Sequence, residues 1–153
     1  MKLKSLLIGS ILILLLSCQH NSVYNKMDIE FDQNKWYKNS PKNHLFSIEQ
    51  EGKYDVFIHF KHVYDFQFDS IPLIIKSKNP DGKMDVITFY LSVKNEKEKD
   101  RGDCVGDICD LKEILFASKE MKSGNHEVSI EHQFKHDYLP NVLGIGLSVE
   151  KRQ

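Results

Sequence analysis

No apolar run in this 153-residue chain is long enough to cross a bilayer as a helix. The longest run, residues 6–16, has 11 residues and includes a glycine and a serine, whereas a transmembrane helix needs roughly 20 residues. Charge of one sign is also lacking, because 21 Lys and Arg residues face 22 Asp and Glu residues. A nucleic-acid-binding protein needs a basic face to neutralise phosphates, so the balance argues against that class.

The motifs that carry common enzyme chemistry are missing as well. The chain contains no nucleophile elbow, no Gly-rich phosphate loop and no pair of carboxylates in a recognisable frame. We therefore predict no catalytic residues, no cofactor and no metal site. A hydrolase would need a nucleophile and a base held together, and the sequence offers no candidate pair.

The N-terminus contains the elements of a secretion signal. Lys2 and Lys4 precede the apolar run and Ser17 follows it, an order typical of a cleaved signal peptide. Residues 15–18, Leu-Leu-Ser-Cys, resemble a bacterial lipobox. That resemblance implies that Cys18 takes a diacylglycerol on its thiol, that cleavage falls before it and that the new amino group is acylated. The alternative is an ordinary signal peptide with a chance cysteine.

Acylation of Cys18 would make the lipid membrane the first partner of this protein. Buried acyl chains contribute about 0.8 kcal/mol per methylene, so several of them anchor a protein stably. We expect residues 1–17 to be a removed signal peptide, 18–33 a tether that leads into a first strand, and 34–153 one β-sandwich domain. The mature chain would carry a formal charge of −3, because the signal contains two of the basic residues and none of the acidic ones.

Most of the mature chain alternates between apolar and polar residues with a period of two, which is typical of strands with one buried face. In the segment YDVFIHFKHV, for example, Val56, Ile58 and Phe60 share a face. The same alternation is expected to bury Phe46 and Ile48, then Ile87, Phe89, Leu91 and Val93, then Val128 and Ile130, and finally Leu143, Ile145, Leu147 and Val149. Seven or eight such strands at short spacing predict an all-β fold, an antiparallel β-sandwich.

Two segments depart from plain alternation. In KNPDGK, residues 78–83, a proline presets a turn and a glycine supplies positive φ, which predicts a hairpin between strands at 71–77 and 84–93. DLKEILFASKEM, residues 110–121, has helical composition. We expect it to be the one short helical segment of the fold.

The order and spacing of several motifs resemble the gliding-motility lipoprotein GldH family of Bacteroidetes. The resemblance begins at the lipobox and continues through Trp36, Pro41, Phe46 and Tyr54, the segments YDFQFDSIPLII and NPDGKMDVITFYL, Gly124 with HEVSIEHQF, and the closing LPNVLGIGLSVEK. Its most specific parts are the PDG hairpin and the C-terminal pattern L-x-x-V-x-G-x-G-L-x-V-E-K.

The resemblance implies a cell-envelope lipoprotein associated with surface-gliding machinery, whose partners are other gliding-motility envelope proteins. No catalytic residues are established for the family, so none is transferred to this chain. Family members carry Gly and Trp after the hairpin, whereas DRGDCVGDIC, residues 100–109, keeps Gly102 and Gly106 without a tryptophan. Basic residues common near the end of the last two strands are also missing, which alters any partner contact made there.

Two cysteines remain once Cys18 is assigned to lipid. Cys104 and Cys109 enclose four residues in an extracytoplasmic setting, where disulfides persist, and a local disulfide would stabilise the fold by about 2 kcal/mol. Two unpaired thiols are the alternative. Structural zinc needs four ligands, and no histidine lies within ten residues of the pair. The spacing also differs from the Cys-x-x-Cys of redox dithiols.

The histidines do not predict a metal site either. Residues three apart on a strand face opposite ways, so His59 and His62 do not share a ligand. His132 and His136 could share a face, but HQFKH lacks the glutamate of the metalloprotease motif. We expect these four histidines to lie exposed on sheet faces, and we interpret the RGD at residues 101–103 as a chance tripeptide in a charged loop.

The stretch HVYDFQFDS leaves two interpretations open. As a strand it would place Tyr64, Phe66 and Phe68 on one face, either in the sandwich core or as an exposed strip that contacts a protein or a sugar. Within the same stretch, Asp69-Ser70-Ile71 resembles the short acceptor motif for O-glycosylation in Bacteroidetes, which makes Ser70 a candidate glycosylation site.

Together these features predict a lipid-anchored, non-enzymatic β-sandwich protein that acts in the gliding machinery of the cell envelope by protein–protein contacts. The alternative is a surface lipoprotein that binds glycan through aromatic side chains. The residues after Cys18, QHNSVYNK, contain no acidic cluster of the kind that resembles surface-export signals in this phylum. We therefore expect a periplasm-facing position.

Overall fold

The computed structural model describes residues 21–152, and in that range the chain folds almost entirely into antiparallel strands. The predicted signal peptide, residues 1–17, and Cys18 lie outside the described residues. Strands account for 65% of the structure and helix for 2%, which confirms the all-β class. In the part of the chain that is described, no helix has the length and apolarity needed to cross a membrane.

Residues 21–152 contain eleven strands and a 3₁₀ turn at Asp32–Asn34. The strands are β1 (Ser22–Asp28), β2 (Trp36–Tyr37), β3 (Lys42–Ile48), β4 (Gly52–Val63), β5 (Ser70–Lys78), β6 (Met84–Ser92), β7 (Asp103–Val105), β8 (Ile108–Met121), β9 (Gly124–His132), β10 (Tyr138–Leu139) and β11 (Val142–Lys151). Eight of them have at least seven residues. The expected seven or eight strands therefore left out the short β2, β7 and β10, whose two or three residues are too few to show alternation.

Two larger sheets share one hydrophobic core. The first sheet has the strand order β1-β11-β4-β8-β7 and the second β3-β9-β5-β6, while β2 and β10 form a small third sheet. Inward side chains of both larger sheets belong to a single buried cluster, which includes Ile58, Phe60, Leu73, Ile130 and Leu147. Each sheet thus contributes the apolar face that the other one covers.

Most residues that the alternation predicts to face inward are buried in the structure. On β4 the three residues expected to face inward are at most 2% exposed, which confirms that prediction. On β11 a register shift between Val142 and Gly144 buries Val142 and leaves Leu143 only half-buried. Ile87 of β6, also expected inside, is exposed. A bulge and an open strand edge are the two features that local alternation does not reveal.

The predicted hairpin is present. β5 and β6 pair antiparallel without interruption up to Lys78 and Met84. Gly82 has a φ of +83°, and its N–H donates a 3.0 Å hydrogen bond to the Asn79 carbonyl. The turn residues therefore act as the sequence indicated.

The segment expected to be helical, residues 110–121, is instead part of β8. It pairs with β4 along its length, with register shifts near its end. Its Leu, Lys, Glu and Ala residues prefer helix by less than about 0.7 kcal/mol each. The strand gains a long ladder with β4 and buries Leu111, Leu115 and Met121. The helix prediction was wrong because pairing with a distant strand outweighs local propensity.

One side of the core is closed by contacts between β1 and β3, which belong to different sheets. The Tyr24 ring of β1 packs 5.1 Å from the Phe46 ring of β3, and Tyr24 Oη shares a 3.1 Å hydrogen bond with His44 Nδ1. His44 is fully buried, and its Nε2 lies 3.7 Å from Asp28 Oδ2. Burial lowers the pKa of His44 from 6.5 to about 4, although the Asp28 charge opposes this shift.

Gly146 lets β1 approach β11 closely. A Cβ atom at this position would lie 2.6 Å from the Lys26 carbonyl oxygen, which is part of the β1 backbone. At Gly144, two residues earlier, the nearest atom to such a Cβ is Sδ of the flexible Met27 side chain, at 2.9 Å. The two glycines of the C-terminal pattern therefore differ in what they accommodate.

Gly146→Ala should destabilise the fold more than Gly144→Ala. Forcing a methyl group against packed backbone costs about 1–3 kcal/mol, whereas an unbranched methionine can change rotamer at little cost. Urea denaturation of both variants and the wild type gives the three free energies of unfolding. Equal values for the two variants would contradict the close approach of β1.

Stability should fall as the pH drops from about 6.5 towards 4, because His44 is protonated more readily in the unfolded chain than in the folded one. Its folded pKa is depressed, so its contribution is complete above the unfolded pKa and is lost as the pH falls through the folded pKa. Unfolding free energies measured between about pH 7 and pH 4 should decline less steeply in His44→Gln. The exposed His136→Gln is the matched control. A His44→Gln curve parallel to that of the wild type would assign the slope to other groups.

Candidate functional site

The three aromatic residues predicted to share a face do not form one exposed strip. Tyr64 is 57% exposed, Phe66 is fully buried and Phe68 is half-buried against the core. Residues 64–69 form a series of bends rather than a strand, so the alternation that would align the three rings does not apply. The exposed-strip interpretation is wrong for Phe66, whose ring packs 5.4 Å from that of Phe60.

Asp100 holds these bends in place. Asp65 has a φ of +58°, and the backbone N–H groups of Asp65 and Phe66 donate to Asp100 Oδ2 at 2.5 and 3.3 Å. Lys94 Nζ lies 3.3 Å from the Asp65 carboxylate. The turn directs Phe66 inward, and the carboxylate that fixes it comes from the loop before β7.

Ser70, the candidate glycosylation site, is the first residue of β5 and is exposed. It pairs with Ser92 of β6. Its hydroxyl is therefore open to a modifying enzyme, and the glycosylation itself stays a prediction.

Cys104 and Cys109 are joined by a disulfide that links β7 to β8. Cys104 is exposed, whereas Cys109 is fully buried. Strand register places His62 of β4 opposite Cys109. A ring nitrogen of His62, a carboxylate oxygen of Asp100 and Sγ of Cys109 all lie within 4.8 Å of one another. We call His62, Asp100, Cys104 and Cys109 the His62 corner.

The ring of His62 presents an unshared nitrogen to this corner. His62 Nδ1 lies 2.9 Å from the Val63 carbonyl oxygen, which can only accept. Nδ1 therefore carries the proton, and Nε2 keeps a free lone pair in the neutral ring. His62 is 0% exposed, and in residues 21–152 neither its Nε2 nor Asp100 Oδ1 has a hydrogen-bond partner. Such buried, unpaired atoms cost about 1–3 kcal/mol each.

The expectation that the four histidines lie exposed was wrong for most of them. His62 and His132 are fully buried, His59 is half-buried and His136 is exposed. His132 Nε2 lies 2.8 Å from the Trp36 carbonyl oxygen, and burial lowers the pKa of this ring. As expected, His59 and His62 lie on opposite faces of β4. No local pattern in the sequence indicates that His62 lies beside Cys109, because that contact depends on strand register.

A serine and a histidine that the sequence did not connect meet on the other face of the first sheet. His59 Nε2 lies 2.8 Å from Ser148 Oγ, a distance suited to a nucleophile and its base. Ser148 is only 2% exposed. Burial and then the Lys112 charge lower the pKa of His59. Neither His59 nor Ser148 lines the cavity described next, so we interpret the pair as a hydrogen bond between β4 and β11.

The two sheets separate near the start of β4, at the end of the core remote from His62. A cavity of about 700 Å³ opens there, with an apolar floor that includes Phe46, Val56 and Val128. Its rim carries both signs of charge, from residues such as Lys53, Lys119, Glu51, Asp85 and Glu120. Burial lowers the pKa of Lys119, while Asp85 opposes that shift. The mixed rim favours no single class of charged ligand.

Strand β6 is one of the two edge strands of the second sheet, and β3 is the other. The outward side chains Met84, Val86 and Tyr90 of β6 are 58–69% exposed, and Pro72 and Ile74 of the neighbouring β5 are half-buried beside them. We call these five residues the β6 surface. An edge strand with exposed apolar side chains and free N–H and C=O groups is a template for pairing with another chain.

Comparison with known proteins finds a family and individual relatives. A family model described as GldH lipoprotein matches residues 22–149. A gliding motility lipoprotein GldH homolog from Christiangramia forsetii is 26% identical over 151 residues, which cover 92% of this chain and 90% of the relative. Among solved structures, Eiger TNF from S. frugiperda matches 71% of this chain with a TM-score of 0.38 and 12% identity. This chain spans 64% of that structure's length.

Reducing the Cys104–Cys109 disulfide should lower the free energy of unfolding by about 2 kcal/mol, because the bond closes a short loop in the unfolded chain. Urea denaturation in the presence of a chelator, before and after treatment with a phosphine, measures the difference. The double variant Cys104→Ser/Cys109→Ser should not respond to the phosphine. A wild-type protein that is equally stable in both states would contradict this contribution.

Proposed function

This chain belongs to the GldH lipoprotein family, and we propose that it is a non-enzymatic accessory component of gliding-motility machinery that acts through protein–protein contacts. Members of this family are lipoproteins related to gliding motility, so the protein is a membrane-anchored protein of the cell envelope. The family is not a known enzyme family. The proposal adds that Cys18 carries the lipid, that the domain faces the periplasm and that the two larger sheets form a β-sandwich.

The β6 surface is the observation that supports contact with a protein. Val86 is 58% exposed on the outward side of an unpaired edge. An extended segment of a partner can add to such an edge, with backbone hydrogen bonds that supply affinity and alternate side chains that supply specificity. The partner segment should be apolar at every second residue, because Met84, Val86 and Tyr90 point the same way.

Charges next to the β6 surface do not oppose an apolar partner. Lys76 of β5 is paired in register with Val86, and its Nζ lies 2.5 Å from Glu131 Oε1 of β9. The two opposite charges compensate each other beside the apolar side chains. A partner strand can therefore approach without burying an unpaired charge, which would be costly.

The position of the anchor favours contact at β6. β1 begins at Ser22, only four residues after Cys18, and four residues span at most about 14 Å. An acylated Cys18 would thus hold β1 near the bilayer. β1 packs on β3, and β6 lies three strands from β3 in the second sheet, about 14 Å away at the usual strand spacing. The β6 surface is at the edge remote from the anchor and is open to an envelope protein.

The glycan-binding alternative has less support from the described residues. A sugar platform needs several aromatic faces exposed together, but Phe66 is buried and Phe68 is half-buried, which leaves Tyr64 alone at that site. We therefore place protein contact first.

Val86→Lys should reduce recovery of the partner about tenfold or more when the tagged lipoprotein is purified from native envelopes. An unpaired ammonium buried in an interface costs several kcal/mol, more than the about 1.4 kcal/mol of a tenfold loss in affinity. Val23→Lys is the matched control, because Val23 is an exposed valine on β1, an edge strand of the other large sheet. Quantitative mass spectrometry of co-purified gliding-motility components provides the measurement.

Three results would contradict the proposal. Wild-type protein that brings down no gliding-motility component would remove the functional assignment, as would recovery of glycan alone. Equal recovery with Val86→Lys and wild type would remove the β6 surface as the contact.

A further inference from the structure

The His62 corner brings together the donor atoms that a zinc ion prefers. An imidazole nitrogen, a carboxylate oxygen and a cysteine sulfur lie within 4.8 Å of one another. Zinc is bound by such N, O and S ligands, usually four of them in a tetrahedron. In the disulfide-bonded state the corner supplies only two of them, because zinc binds thiolates and a disulfide sulfur carries no thiolate charge.

We propose that reduction of the Cys104–Cys109 disulfide converts this corner into a zinc site formed by Cys104, Cys109, His62 and Asp100. A dithiol reductant transfers two electrons to the disulfide and is itself oxidised to a disulfide. The protein then has two thiols. Binding of Zn²⁺ replaces their two protons, which are released to solvent, and the ion is held by two thiolates, one neutral imidazole and one carboxylate.

The imidazole is already oriented as a metal ligand would be. The Val63 carbonyl oxygen lies 2.9 Å from Nδ1 and accepts a hydrogen bond from its N–H. Nε2 is therefore the nitrogen that can offer a lone pair. This is the arrangement in which a backbone carbonyl orients a metal-binding histidine from its other nitrogen. His62 also packs against Phe60 and Phe66, with ring centroids 5.2 and 5.0 Å apart. The ring is therefore held in place without any further partner for Nε2.

The carboxylate is oriented in the same way. The N–H groups of Asp65 and Phe66 bind Asp100 Oδ2, and Oδ1 has no hydrogen-bond partner among the described residues. Oδ2, which accepts these bonds, also lies 3.9 Å from Cys109 Sγ, so the carboxylate is held at the corner with one oxygen unshared. The corner therefore contains two preoriented ligand atoms, one from β4 and one from the loop before β7.

Only a small contraction is needed to reach zinc geometry. With zinc–ligand distances of about 2.0–2.3 Å, the ligands of a tetrahedral ion lie about 3.3–3.8 Å from one another. The present separations of up to 4.8 Å would shrink by about 1 Å. The Cys104 sulfur starts next to the other three residues of the corner because it is bonded to that of Cys109. Reduction frees it to move on the short β7.

The two cysteines differ in exposure, and this difference decides which sulfur a reductant attacks. Cys104 is exposed and Cys109 is buried, so a reductant's thiolate attacks the Cys104 sulfur and Cys109 leaves as a thiolate. The second thiol of the reductant then releases Cys104. The buried Cys109 thiolate forms beside His62 and Asp100, where a bound cation would compensate its charge.

Zinc binding by the full chain in detergent tests the proposal. The protein carries Cys18→Ser, which removes the third thiol, and is studied oxidised or after reduction by a phosphine that is then removed without air. Calorimetric titration with Zn²⁺ should give one ion per chain in the reduced state and none in the oxidised state. X-ray absorption of the reduced wild-type corner should show two sulfur ligands at about 2.3 Å and two lighter ligands at about 2.0–2.2 Å.

His62→Gln and Asp100→Asn should each weaken zinc binding by at least the roughly 10- to 100-fold that loss of an outer-shell partner costs. The exposed His136→Gln is the matched control and should bind as the wild type does. The X-ray absorption measurement needs no substitution in the corner, so it stays decisive where a variant fails to fold.

Each contrary result overturns a stated part of the inference. Equal zinc affinity in the oxidised state would exclude control by the disulfide. Absence of binding in the reduced state would exclude the site. A coordination shell made only of sulfur, or unchanged affinity in folded His62→Gln, would show that thiols of different chains bind the ion without this corner.

Discussion

The alternation of side chains along β4 is the constraint on which both the core and the His62 corner depend. β4 is hydrogen-bonded to β11 on one edge and to β8 on the other, so every second residue must lie on the same face. Val56, Ile58, Phe60 and His62 follow one another on that face and are all buried. The period that builds the core therefore carries a histidine to its end, opposite Cys109. A slip of one residue would expose the core and turn His62 outward together.

Local patterns were enough to predict most strands and the β5–β6 hairpin, because alternation and turn chemistry are properties of a few adjacent residues. The largest errors involve a partner distant in the chain. β8 is a strand because of β4, and Phe66 turns inward because the Asp100 carboxylate binds its N–H. Parity suggested that Cys104 and Cys109 pair, yet their proximity to His62 follows from strand register, which the sequence does not display. The candidate site was therefore less predictable than the fold.

One side of the core is closed by contacts between the two sheets, whereas the other side ends in an open strand edge. This difference matters for a protein anchored in a membrane. β1 and β3 are joined across the sheets by the packing of Tyr24 on Phe46 and its hydrogen bond to His44. At the other side β6 keeps an unpaired edge with exposed apolar side chains. Open edges favour aggregation in free proteins. The lipid at Cys18 that we propose would restrict how two copies can approach, which would leave the remote edge open for another chain.

Four buried side-chain atoms in residues 21–152 lack a hydrogen-bond partner, and they belong to two pairs of neighbouring residues, His44 with Asp28 and His62 with Asp100. His44 Nε2 and Asp28 Oδ2 are 3.7 Å apart, and with Nδ1 accepting from Tyr24 the ring would point an N–H at the carboxylate. His62 Nε2 and the oxygen of Asp100 are both acceptors, because the His62 proton is on Nδ1. No rearrangement of two acceptors satisfies both of them. An added proton, a water that donates both of its hydrogens or a cation does so, and the adjacent sulfurs favour a metal that accepts thiolate ligands. The His62–Asp100 pair therefore favours a bound cation, whereas the His44–Asp28 pair needs none.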